Sequence, residues 1–187
     1  MLVGRIKPVW TNYFFDDGTL QGWSDVNPTG TYKFTSQIGT GTDTDPAQSL
    51  PNFVGIDDWA QRDNNLSTIW IRSPKFKLWG PPGQELTFYL SGGAGFGVGA
   101  LPQYDSSVPT GDGSTTTGFM GLALRDDVTG EFLLKASRAA NANIWTPFAF
   151  DVSSYLNDNK YYTLDLIDFF RGSWGFVALD TVRIPGC

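Results

Sequence analysis

The sequence predicts an all-β fold, a sandwich of two antiparallel sheets packed face to face. Three observations predict it. Short β-prone runs recur along all 187 residues, with 22 Gly and 11 Pro scattered between them as turn formers. Two runs alternate clearly: Tyr32 and Phe34 oppose Lys33 and Thr35, while Tyr162, Leu164 and Leu166 oppose Tyr161, Thr163 and Asp165. No segment sustains a 3.6-residue apolar period over three turns, so no substantial helix is expected.

Taken in order, the expected strands lie near residues 12–15, 22–26, 31–38, 67–73, 75–79, 85–92, 117–126, 130–138, 147–153, 161–169 and 175–184. Eleven short strands with polar turns imply two sheets rather than one. The acidic turn from Arg125 to Gly130 makes 120–125 and 132–136 a hairpin. The stretch VSSYLNDN holds at most one helical turn, capped by Asp151 or Ser153. Residues 39–49 and 101–118 read as long polar loops, a length usually reserved for function or mobility. The expected organisation is one domain, residues 12–187, behind an N-terminal arm of residues 1–11.

Composition excludes several functions. Aromatic residues make up 15% of the chain and charged residues 17%, which describes a packed globular protein and not a disordered one. The net charge is −6, and Lys and Arg never cluster along the sequence, which speaks against a nucleic-acid partner. No run is long enough to span a bilayer, so no membrane insertion is expected, and the N-terminus lacks the apolar core of a secretory signal. The lone Cys187 permits no intrachain disulfide. As written, the chain is expected to be soluble and made in a reducing compartment; either an export signal has been removed or the protein leaves its cell by another route.

Histidine is absent, which removes Ser-His-Asp and Cys-His catalysis and most zinc and iron sites. Carboxylate chemistry remains, but most of the 17 Asp stand beside Gly, Asn, Ser or Thr, where turn formation accounts for them. The glycines at 95, 97 and 99 imitate a dinucleotide fingerprint. The helix that motif needs is denied by Pro102, so the stretch reads as glycine-rich strands passing close to another backbone. No catalytic residue is assigned, and the chain is read as a non-enzyme.

The aspartates at the two ends are more informative. Asp180 interrupts an otherwise apolar strand, and a buried carboxylate needs a cation or several donors. Asp16 and Asp17 follow Phe14 and Phe15 and precede Gly18, an oxygen-rich turn. If the first and last strands are neighbours, these groups and nearby carbonyls can enclose Ca²⁺ with all-oxygen ligation. The other reading is that Asp180 accepts backbone hydrogen bonds from the N-terminal turn. Both stand open at this level.

The runs FFDDGTLQGW, STIWIRSPKFKL, LSGG, GLALRDDVTGEFLLKAS, FAFDVSSYLNDNKYYTLDLID and GSWGFVALDTVRI occur in a telling order. In that order they resemble the galactose-binding-like jelly-roll module found appended to levanases and related fructan hydrolases. The resemblance spans residues 13–184 and implies a jelly-roll sandwich. It also implies that the opening acidic turn and the closing Asp strand lie together and hold a structural calcium, with Asp17 and Asp180 as its side-chain ligands. The catalytic propeller of those hydrolases has no counterpart here, so the resemblance carries over no activity.

The same resemblance sets Trp23, Trp70 and Trp174 at core positions. Trp59 and Tyr104, in polar loops without alternation, are the expected contacts to a ligand or partner. Two settings follow for such a binding or structural module. One is a surface decoration or tail component of a bacteriophage virion, homo-oligomeric, contacting glycan or other virion proteins. The other is the carbohydrate-binding module of a secreted, extracellular glycoside hydrolase. The arm, with Leu2, Val3, Ile6, Val9, Trp10 and Pro8, suits an extended strap onto a neighbouring subunit.

Overall fold

A computed structural model describes residues 9–15, 19–26, 37–38, 52–55, 69–93, 119–140, 142–168 and 177–186. The fold is an all-β jelly-roll sandwich of two antiparallel sheets. One sheet runs β3 (Gln37–Ile38), β4 (Asn52–Gly55), β11 (Val177–Gly186), β6 (Glu85–Gly92), β9 (Ala142–Asp151), with β1 (Val9–Tyr13) also joined to β11. The other runs β2 (Ser24–Asp25), β5 (Ile69–Arg72), β10 (Tyr162–Asp168), β7 (Met120–Asp126), β8 (Phe132–Ala136). From β8 onward each successive strand changes sheet, which stitches the two layers together.

The core lies between the sheets and follows the period-two rule. Leu86, Phe88 and Leu90 of β6 meet Leu122 and Leu124 of β7 and Tyr162, Leu164 and Leu166 of β10, all buried in one cluster. Phe88 stacks on Phe148 at 5.7 Å and tilts against Phe150 at 4.9 Å, which fixes β9 against β6. Truncating one of these leucines to Ala is expected to cost about 2–5 kcal/mol. The expected alternation of β10 is observed: the even residues face the core, and Thr163 and Asp165 face away from it.

The 120–125 and 132–136 hairpin is also observed, and its turn has an identifiable cause. Asp126 Oδ1 accepts the backbone N–H groups of Val128 and Thr129, each at 2.9 Å, and Gly130 follows with φ 78°. Those two hydrogen bonds, together with Lys160 at Oδ2, hold the Asp126 carboxyl below its ordinary pKa. The expected helical turn is a 3-10 turn at Ser153–Tyr155, but its N-cap is Val152 without a side-chain cap; Asp151, one residue earlier, accepts the Ser153 N–H at 3.0 Å.

Four elements differ from expectation. β1 begins at Val9, so residues 9–11, assigned to the arm, are ladder residues; residues 1–8 lie outside the described residues. β4 was not anticipated, and β9 starts five residues early because Ala142 pairs with Gly92. The stretch 75–79 alternates as a strand should but forms only an isolated bridge, Phe76 to Tyr162. Among the described residues no helix is long and apolar enough to cross a membrane.

Candidate functional site

The first and last strands are partners. Five antiparallel pairs run from Val9↔Gly186 to Tyr13↔Val182, so the first and last strands meet in one ladder. Two residues past that ladder stands Phe15, fully buried at φ 55°. Tyr13, Phe15 and Trp23 form an aromatic trio with centroid separations of 5.7–6.3 Å. Burial pushes the Tyr13 phenol above its ordinary pKa. The trio ties the end of the first strand to Trp23 within the core.

β11 carries an irregularity between Asp180 and Arg183 in its pairing with β6. Leu179 faces the core before it and Val182 after it, so one extra residue has been inserted and the facing parity reverses. The extra residue is Thr181, at φ 50°. A β-branched side chain in the left-handed region is a strained arrangement, costing on the order of 1–3 kcal/mol. Asp180, only 4% exposed, accepts the Thr181 N–H on Oδ1 at 2.5 Å and so supports the bulge. A backbone donor therefore reaches Asp180 from its own strand.

Gln21, itself at φ 47°, has a buried Oε1, and Trp23 a buried Nε1, without a hydrogen-bond partner among the described residues. Asp16 and Asp17 lie outside the described residues, and among the described residues no three acidic side chains gather. Trp59 and Tyr104 lie outside them too, as do Trp174 and both long polar loops.

A second constellation was missed in the sequence. On the outward face of the five-stranded sheet, Asp165 is fully buried and takes a bidentate pair from Arg72, Nε to Oδ1 at 2.8 Å and Nη2 to Oδ2 at 2.7 Å. The Trp70 indole N–H donates to Oδ2 at 2.7 Å, and the Arg72 guanidinium lies 5.6 Å from the Trp70 ring centroid. Trp70, expected in the core, is half-buried and packs with Phe119, Ile167 and Phe132 in a separate small cluster. Strand alternation places it there, since its partner Ile167 points away from core-facing Leu166. Trp23 is in the main core, as expected.

Fold and junction together define the class, an all-β sandwich whose chain ends are ladder partners. No family model matches the chain, and no curated protein matches it. Solved structures do. One cleaved adhesin domain of Lys-gingipain from Porphyromonas gingivalis superposes with a TM-score of 0.53 at 14% identity, covering 96% of this chain and 99% of that one. Another cleaved adhesin domain of Lys-gingipain gives 0.51 at 14% identity, covering 96% and 100%. At such identity the likeness is one of fold, a β-sandwich compatible with a jelly roll.

Proposed function

We propose that the chain is a non-catalytic binding module, used as a surface decoration or tail component of a bacteriophage virion that contacts glycan and copies of itself. The observation that carries the non-catalytic reading is the state of the carboxylates. Asp126 and Asp151 are tied to backbone N–H groups of their own turns and sit below their ordinary pKa, the wrong direction for a general acid. Asp165 is neutralised by Arg72, and Asp158 accepts the Lys160 N–H and the Tyr162 hydroxyl. Each of these groups has a structural task.

The likeness in fold to adhesin domains supports a binding role. The Val9↔Gly186 pairing supports the virion setting, because the ladder of the sandwich is complete from Val9 onward and the residues before it are not needed for those pairs. Calcium bound through Asp16, Asp17 and Asp180 would clamp the same junction. A second reading is favoured by the ordered motifs shared with the modules of fructan hydrolases: a carbohydrate-binding module of a secreted enzyme.

Two measurements test the proposal. Incubation with levan, inulin and common plant glycans is expected to release no reducing sugar; release abolished by a single Asp→Asn change overturns it. Sedimentation of the full chain separates the settings. A homo-oligomer is expected for the virion component and a monomer for the hydrolase module.

A further inference from the structure

The outward face of the five-stranded sheet carries a strip that the function above does not yet use. In the stretch WIRSPKFKLW, Ile71, Phe76 and Leu78 are core, while Trp70, Arg72, Lys75, Lys77 and Trp79 are half-buried or exposed. The Phe76–Tyr162 bridge sets the lysines beside Tyr161, which points away from core-facing Tyr162. Lys75 Nζ lies 5.1 Å and Lys77 Nζ 4.8 Å from the centroid of the Tyr161 ring. One strand further in, Arg125 pairs with Thr163 and faces the same side, opposite core-facing Leu124.

Three of these cations lack a carboxylate partner among the described residues. Among these residues Lys75 has none, Lys77 bonds only the neutral amide oxygen of Asn159, and the Arg125 guanidinium makes neither hydrogen bond nor ion pair. Burial, and then the nearby charge of Arg72, pull Arg125 below its ordinary pKa, so its charge is held at a cost that an anion would relieve. Of the acids that face it, Asp165 is engaged by Arg72 and Asp126 by Lys160 and its turn, while Asp127 stands nearby without an ion pair to it. Lys75, Lys77 and Arg125 thus stand on one face of a chain of net charge −6.

The aromatic groups say what kind of anion fits. Trp79 is 46% exposed and Tyr161 42%, large areas for rings on a sheet face that also holds cations. Trp70 and Trp79 stand nine residues apart and span at most ~30 Å of extended chain, room for several sugar units. The C–H-lined face of a pyranose packs on such rings, while a carboxylate or sulfate on the same sugar meets an ammonium or the fork of a guanidinium.

We propose that this strip, Trp70 to Trp79 with Tyr161 and Arg125, binds an extended acidic glycan. The inference rests on the binding-module reading and names the surface and the ligand class. Phosphate-bearing polymers supply the charge but lack the sugar faces arrayed for stacking on Trp79 and Tyr161.

The probe is polygalacturonate, with dextran as the neutral polymer and oligothymidylate as a competing polyanion. The native chain is expected to bind polygalacturonate at low ionic strength, to weaken as salt rises, and to ignore dextran. The double change Lys75→Ala with Lys77→Ala, both outside the core, is expected to weaken binding about tenfold with an unchanged melting temperature. Trp79→Ala is expected to weaken it about fivefold while leaving the salt dependence intact. Equal binding by native chain and double variant overturns the strip. If both retain dextran equally, the module reading stands and the strip alone falls. If no glycan is bound, both fall. Oligothymidylate competing as well as polygalacturonate, with Trp79→Ala silent, overturns the glycan assignment.

Discussion

Asp165 and Arg72, 93 residues apart in sequence, are directly opposed across β10 and β5 and joined by two parallel hydrogen bonds. The carboxylate is fully buried, whereas the guanidinium side chain keeps 25% of its surface exposed. A charge taken so completely from water is tolerated only because Arg72, Trp70 and Thr163 supply donors to both of its oxygens. The pair locks the register of β5 against β10, since a slip of one residue would point Arg72 into the core.

Breaking that pair from the arginine side should therefore cost more than removing it whole. Arg72→Met leaves Asp165 charged and short of donors, and a loss of about 3 kcal/mol is expected in denaturant unfolding. Arg72→Met combined with Asp165→Leu removes both charges and should recover most of that loss. A double variant no better than the single one would show that the pair contributes through packing and not through charge.

Calcium at the end junction is tested by melting. With free calcium about 100-fold above its Kd, binding to the folded state alone adds about 2.7 kcal/mol, or roughly 5–10 °C for a chain of this size. Chelation should lower the melting temperature by that amount, and Asp180→Asn should abolish the response. Identical melting with and without chelator, and no metal by elemental analysis, would remove the ion from the junction.

Asp126 predicts a pH dependence. Its folded carboxyl sits below the ordinary value because two backbone N–H groups and Lys160 favour the charged form. Its stabilisation is therefore complete above about pH 4, the unfolded value, and is lost as pH falls through the lower folded value. Asp126→Ala should cost about 1–2 kcal/mol at neutral pH. Asp126→Asn, which keeps an acceptor for the turn, should cost less while flattening the acid limb of the stability curve.

How much of this could be read from residues alone depends on what each signal reports. The alternation in β10 was legible because Tyr162, Leu164 and Leu166 face one core and nothing interrupts them. The same signal misled at 75–79. Alternation there reports which side is buried, whereas ladder bonding is limited by Pro74 before the stretch and Pro81 and Pro82 after it. β4, four residues long, offered too short a run to register. At the site, Asp180 was found because a charge inside an apolar strand is anomalous by itself. Arg72 and Asp165 were not, because each looks like an ordinary outward residue until topology sets their strands side by side.

The boundary of the N-terminal arm separates two roles, and paired truncations resolve them. Removing residues 1–8 leaves all five β1–β11 pairs, including Val9↔Gly186, so the sandwich should melt as the native chain does. Removing residues 1–11 also deletes the partners of Gly186, Pro185 and Ile184 and strips β11 of its neighbour there. Ile184 is fully buried, and Trp10, at 38% exposure, covers part of the sheet that would then meet water. Three lost ladder positions and that uncovered surface should cost about 2–4 kcal/mol. Stability thus reports on residues 9–11, and assembly on residues 1–8. If the native chain sediments as an oligomer and the shorter truncation as a folded monomer, residues 1–8 are the strap, and the virion setting gains its mechanism. If both sediment as monomers with equal melting temperatures, no strap exists. The chain would then be better placed as the carbohydrate-binding module of a larger secreted enzyme.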